Sequence, residues 1–224
     1  MRHWDWDGMV EANRGWLMRL LAGLVVLLGS DDVVRRVVWR AVLAKLVPLE
    51  SALRRLILVA ARDLPVVAMP ARERGNKGGG SRRKGKRGAV FALTDLPRNP
   101  DPAPRTCPDK RAPRIRFLDE PPPPAGAVPS DDDLVESAAL RRRIDAMLDA
   151  LDDLPGQAKR LARWYGRGKR MRYGGAWRRL LPIRSGRPPG HRERDPRDAG
   201  KALATCHDLA LRCLAMLDAE RAAA

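Results

Sequence analysis

The spacing of apolar positions divides the chain into three stretches. Up to residue 64 they recur at helical intervals. Val33, Val34, Val37, Val38, Ala41 and Val42 follow such a spacing, with Arg35, Arg36 and Arg40 on another side. Ser30 followed by Asp31 and Asp32 predicts an N-cap with acids in the first turn, facing the positive end of the helix dipole. Pro48 is costly inside a helix but suits a first turn. It predicts a break near Val47 and a new helix through Leu53, Leu56, Ile57 and Ala60 to Asp63, stopped by Pro65. With the apolar run around residues 14–28, residues 1–64 read as two or three short helices. Such a unit is marginal alone and needs a partner surface.

Between residues 65 and 130 the periodicity disappears. Thirteen of the 19 prolines and seven glycines fall here, so the stretch reads as a disordered, basic linker. Two islands interrupt it, Ala89–Leu93 and Arg114–Leu118, and they hold both phenylalanines. Each is extended in pattern and followed by an acid and a proline. Each reads as a single strand or as a docking peptide that orders on a partner.

From residue 131 onward helical spacing returns. Ser130-Asp131-Asp132-Asp133 matches a capping box. Leu140, Ile144, Met147, Leu151, Leu154, Ala158, Leu161 and Tyr165 then step by four and three, a heptad seam of the coiled-coil kind. That seam suits either an internal partner or a homo-oligomer formed through residues 140–165. Pro155-Gly156 predicts two helices or a sharp kink, with Pro155 opening the second piece. Gly166 and Gly168 end the helix, and residues 166–198 read as a long basic loop. Asp198 caps a final helix with a stripe of Leu203, Ala210, Leu214 and Leu217. The expected fold is mostly α: short N-terminal helices, a disordered Pro/Gly-rich linker, and a C-terminal helical hairpin (131–224) carrying the loop. The final helix is expected against the 140–165 seam.

Composition supports the helical reading, since only ten of 224 residues are aromatic and β-branched residues other than Val are scarce. Charge adds more. The net charge is +17, with Arg outnumbering Lys 36 to 8. Residues 66–130 carry +8 and residues 156–198 carry +11, whereas residues 131–155 carry −5. Charge so segregated points to a polyanionic partner.

Candidate enzyme chemistry is thin. The three cysteines (Cys107, Cys206, Cys213) cannot form a disulfide framework and suit a reducing interior. Cys206 and Cys213 lie about 10 Å apart along a helix, too far to ligate one ion, and are expected as buried packing. There is no G-x-S-x-G, and His3, His191 and His207 lack motif context. Gly80–Arg87 fits G-x-x-x-x-G-K, but Arg87 stands where Ser or Thr would hold magnesium. The expectation is a protein that is not an enzyme and needs no cofactor or metal.

The basic stretch after residue 166 carries the binding signal. Arg167, Lys169, Arg170, Arg172, Arg178 and Arg179 can neutralise phosphates with counterion release, and Tyr173 and Trp177 can stack on unpaired bases. Arg187, within Gly186-Arg187-Pro188, resembles part of an AT-hook core, with Ser185 replacing the first arginine. Arg82–Arg87 would add affinity without sequence preference. The function expected is a non-catalytic, nucleic-acid-binding accessory protein. The alternative is a peripheral membrane or scaffold protein anchored by its N-terminal apolar helices, whose Trp4, Trp6, Trp16 and Trp39 suit a bilayer interface and whose basic linker suits an anionic membrane surface. The longest apolar run, Leu20–Leu28, is well short of the ~20 residues a span needs. A cytoplasmic location is therefore expected, with the periphery of the inner membrane as the alternative.

The strings Asp153–Trp164, Arg187-Pro-Pro-Gly-His-Arg192 and Cys206-His-Asp-Leu-Ala-Leu211 resemble an uncharacterised family of Arg-rich proteins from GC-rich bacteria. The resemblance covers mainly residues 140–217 and implies a bacterial, helical protein. It implies no functional residue.

Overall fold

A computed structural model describes residues 5–64, 91–95, 130–166, 170–173, 176–179, 183, 186–192 and 197–223, with the backbone alone at 166, 170–173, 176–179, 218 and 220–223. Helices dominate the described residues. Helix α1 (Trp6–Leu28) starts at Asp5, whose carboxylate accepts a 2.9 Å hydrogen bond from the Gly8 N–H. It ends at Gly29, which adopts φ 65° and donates to the Val25 and Val26 carbonyls. Val10, Leu17, Leu21, Leu24 and Leu28 form its buried stripe.

Helix α2 (Arg36–Ala60) is the centre of the molecule. Its second half is buried on nearly every side, including Leu49, Ala52, Leu53 and Leu56–Val59. The break expected near Val47 is absent, because α2 runs through Pro48. An interior proline costs about 3 kcal/mol through its missing donor and ring clash. Burying Leu46, Leu49, Leu53 and Leu56, each worth about 1.5–3 kcal/mol, outweighs that. Pro48 itself is buried and forms a seat for the turn Pro188-Pro189-Gly190-His191. There the His191 N–H donates to the Pro188 carbonyl at 3.1 Å, and Gly190 holds φ 80°. Proline at the second position and positive-φ glycine at the third are the residues a type II turn requires. A Cβ on Gly190 would lie 2.6 Å from the Pro48 nitrogen, so this glycine also permits the close approach.

The helix start expected at Ser30 is also corrected. Val33–Arg35 forms strand β1, antiparallel to β2 (Leu134–Glu136), with Val34 opposite Val135. The Ser137 N–H and hydroxyl donate to the Asp32 carbonyl at 2.8 and 3.0 Å, and the hydroxyl also reaches the Asp31 carbonyl. Asp133 and Asp131 carbonyls accept from the Arg36 and Val37 N–H groups, capping α2 with main chain from far along the sequence. The Asp131–Asp133 run, expected as a first helical turn, thus precedes a strand. Its carboxylates pair with Arg40, Arg35 and Arg36.

Helices α3 (Ala138–Asp152) and α4 (Leu154–Gly166) divide at Asp153, as Pro155-Gly156 predicts. The seam from Leu140 to Leu161 is buried within the single chain, with α3 against α1 and α2 and α4 against α2. Arg14 ties the end of α3 to α1 by donating to the Leu151 carbonyl at 2.8 Å. Residues 170–179 depart from the loop reading: β3 (Arg170–Tyr173) and β4 (Ala176–Arg179) form an antiparallel hairpin. Helix α5 (Asp198–Ala223) lies chiefly along α2 rather than on the 140–165 seam. Residues from α1 to α5 and from Phe91 and Leu93 share one hydrophobic cluster. Among the described residues, no helix is long and apolar enough to cross a membrane.

Candidate nucleic-acid interface and a buried arginine cluster

Two regions concentrate arginines in unlike ways. The first is the hairpin. Its register sets Arg170 opposite Arg179, Met171 opposite Arg178, Arg172 opposite Trp177 and Tyr173 opposite Ala176. Residues alternate faces along a strand, and cross-strand partners share a face. Positions 170, 172, 177 and 179 therefore fall on one face, which holds three arginines and a tryptophan. Positions 171, 173, 176 and 178 fall on the other. The two residues between the strands are Gly174-Gly175, a pair suited to a tight hairpin connection. Six expected site residues are thus gathered on a ribbon, with Tyr173 and Arg178 on the face opposite the other four. Arg187 stands elsewhere, exposed at the entry to the turn seated on Pro48, while Pro188 is buried. Arg167, Lys169, the Arg82–Arg87 tract and the Arg114–Leu118 island lie outside the described residues.

The second region was not singled out by its sequence. Arg55 is fully buried in α2. Its Nη2 donates to Asp95 Oδ2 at 3.0 Å, and its Nη1 donates to the Ser51 hydroxyl and carbonyl at 2.6 and 2.9 Å. Its Nε donates to His207 Nδ1 at 3.0 Å, which requires a neutral imidazole protonated at Nε2. Arg54 donates to the Ala92 carbonyl at 2.9 Å and to Asp95 Oδ1 at 3.3 Å, and its guanidinium lies 5.5 Å from the Phe91 ring centroid. Glu50 completes the cluster, 3.7 Å from Arg54 and accepting a 2.7 Å bond from Arg143 of α3.

Environment sets the proton affinities here. Burial pushes the Arg55 pKa down, opposed by the Asp95 carboxylate. His207 is held below its ordinary 6.5, first by burial and then by the Arg55 charge. His191 lowers it further, while Asp208 and Asp95 oppose the shift. Burial raises the Cys206 thiol to about 12, and it donates to Asn13 Oδ1 at 3.7 Å. A thiol so protonated is a packing group rather than a nucleophile. Among the described residues, no three His, Cys, Asp or Glu side chains are grouped to hold a metal ion.

A signal for this cluster was present in the sequence. Leu53-Arg54-Arg55-Leu56-Ile57-Leu58-Val59 offers no polar face on which two arginines can both be solvated. One had to meet an internal acid. The described part of the first island, Phe91–Leu93, followed by Asp95, supplied it by docking on the chain's own α2.

No family model matches the chain, and no match is found among curated proteins or solved structures.

Proposed function

We propose that the protein binds nucleic acid without catalysing a reaction, through the β3–β4 ribbon. The observation that carries this reading is the register placing Arg170, Arg172, Trp177 and Arg179 at positions on one face. Arginines spaced along a ribbon suit a phosphate backbone, and a tryptophan among them suits an unstacked base. The excess of +11 in residues 156–198 adds long-range attraction. A cytoplasmic setting follows from the partner proposed.

Fluorescently labelled single- and double-stranded nucleic acid, titrated across a salt series, tests this. Affinity should fall linearly in log salt. Arg170→Ala with Arg172→Ala should weaken binding and reduce the magnitude of the slope by about two, one per lost phosphate contact. An unchanged slope and affinity in the double variant would refute the assignment.

A second reading, as a scaffold, rests on a different observation. Val26 is 81% exposed and Leu134 69%, with Val25, Leu27, Val33 and Val37 also exposed around the α1–β1–α2 junction. Asp31, Asp32 and Asp131–Asp133 lie in the adjoining sequence, which disfavours an anionic bilayer and favours a protein surface. Loss of nucleic-acid binding on altering the ribbon distinguishes the two readings.

A further inference from the structure

Residues 91–95 sit on α2 in the way a bound peptide sits on its receptor. Phe91 and Leu93 are buried, Ala92 is exposed, and Thr94 is half-buried. Alternate side chains of the segment thus enter the surface, as in strand-like peptide recognition. Arg54 captures a main-chain carbonyl, and Arg54 and Arg55 together grip the Asp95 carboxylate through both of its oxygens. Among the described residues, no backbone–backbone hydrogen bond ties 91–95 to the rest of the protein. Among the described contacts, its anchors include two apolar side chains, one carbonyl and one carboxylate.

The receptor face is largely built without this segment. Arg54 is also held by Glu50, which is fixed in turn by Arg143, and Arg55 is also held by Ser51 and His207. The two guanidiniums are thus positioned by α2, α3 and α5. The segment itself is joined to α2 and to β2 only through residues 65–90 and 96–129, both rich in Pro or Gly.

We propose that this face of α2 is a peptide-binding site for segments of the pattern aromatic–x–aliphatic–x–acid, occupied in cis by Phe91–Asp95 and open to the same pattern presented by a partner protein. The buried pair at alternate positions sets the aromatic and aliphatic preference, and the two guanidiniums demand the acid. Tethering on the same chain gives the internal segment an effective concentration on the order of millimolar. A partner therefore competes well only when the internal anchors are weakened or when it is itself held close. This site is independent of the β3–β4 ribbon, so its failure leaves the nucleic-acid reading standing.

The test uses the full chain and a fluorescein-labelled peptide of the sequence Ala89–Leu96. Phe91→Ala with Asp95→Ala removes the internal competitor. Peptide anisotropy should show binding at least about tenfold tighter to this variant than to the unaltered protein. Adding Arg54→Gln should abolish the gain. Equal affinity for both proteins, or no binding to a double variant that keeps its helical circular dichroism and cooperative melt, overturns the proposal. Limited chymotrypsin digestion of the unaltered chain gives an arm that does not depend on the variant folding. Cleavage after Phe91, whose side chain is buried while the segment is seated, should run at least about tenfold ahead of global unfolding. Cleavage there no faster than global unfolding would mean that the segment leaves only with the whole fold, and would equally overturn the proposal.

Discussion

The arginines of the β3–β4 ribbon and those at 54 and 55 are chemically identical and physically opposite. The ribbon sets several like charges at alternating positions of a two-stranded element with no acid among residues 167–179. On α2, by contrast, Arg55 is fully buried and its charge is balanced by Asp95 at 3.0 Å, with Ser51 accepting from its Nη1 and His207 from its Nε. A charge in an apolar interior must carry its counter-ion with it. Charge density along the sequence thus raises the expectation of a partner, whereas the arginines inside an apolar helix are accounted for by internal structure.

The contrast breaks most sharply at Arg55. Arg55→Ala leaves Asp95 without its nearest cation and opens a void, so urea unfolding should show a loss of about 3–5 kcal/mol. A loss under about 1 kcal/mol would put the cluster in the same class as a surface pair. Gly190→Ala comes next. It combines a strained positive φ with collision against Pro48, and should lower stability by about 1–3 kcal/mol in the same assay. An unchanged midpoint would mean the turn is not seated on α2 in solution.

A pH series sharpens the comparison further. Because His207 binds its proton less readily in the folded chain than at its ordinary 6.5, the unfolded chain protonates first as pH falls. The stability contributed is therefore fully present above about pH 6.5 and declines as pH drops through the lowered folded value. The groups facing His207 are Arg55 on α2, Asp95, Asp208 on α5 and His191 in the turn. Melting temperatures at pH 7.5 and 5 should show the decline, and His207→Gln should flatten that part of it. The smallest stability effect belongs to the ribbon. Arg170→Ala with Arg172→Ala should change unfolding by less than about 0.5 kcal/mol while weakening nucleic-acid binding, so affinity and stability separate there as they do not at Arg55.

Much of the fold was legible where local signals and burial agree. The stepped apolar positions from Leu140 to Leu161 are buried, Pro155 lies in the first turn of α4, and Cys206 and Cys213 are buried. Ser30 and Pro48 misled for one reason: local preference was overridden by distant chain. Val33–Arg35 is extended because Leu134–Glu136 pairs with it, and Pro48 stays inside α2 because leucines on every side are buried there. The island around Phe91 was visible as extended and apolar, but its receptor was not. Arg54 and Arg55 carried no expectation of their own, because only the burial of α2 on nearly every side places them inside.

Taken alone, the sequence determined a helical protein with segregated positive charge, because helical periodicity, capping residues and charge density are local properties. The tertiary structure decided that Arg54 and Arg55 hold their counter-ion inside the chain, in Asp95. Burial is set by all neighbours at once, and only burial turns a charge from a solvated group into one that must be paired.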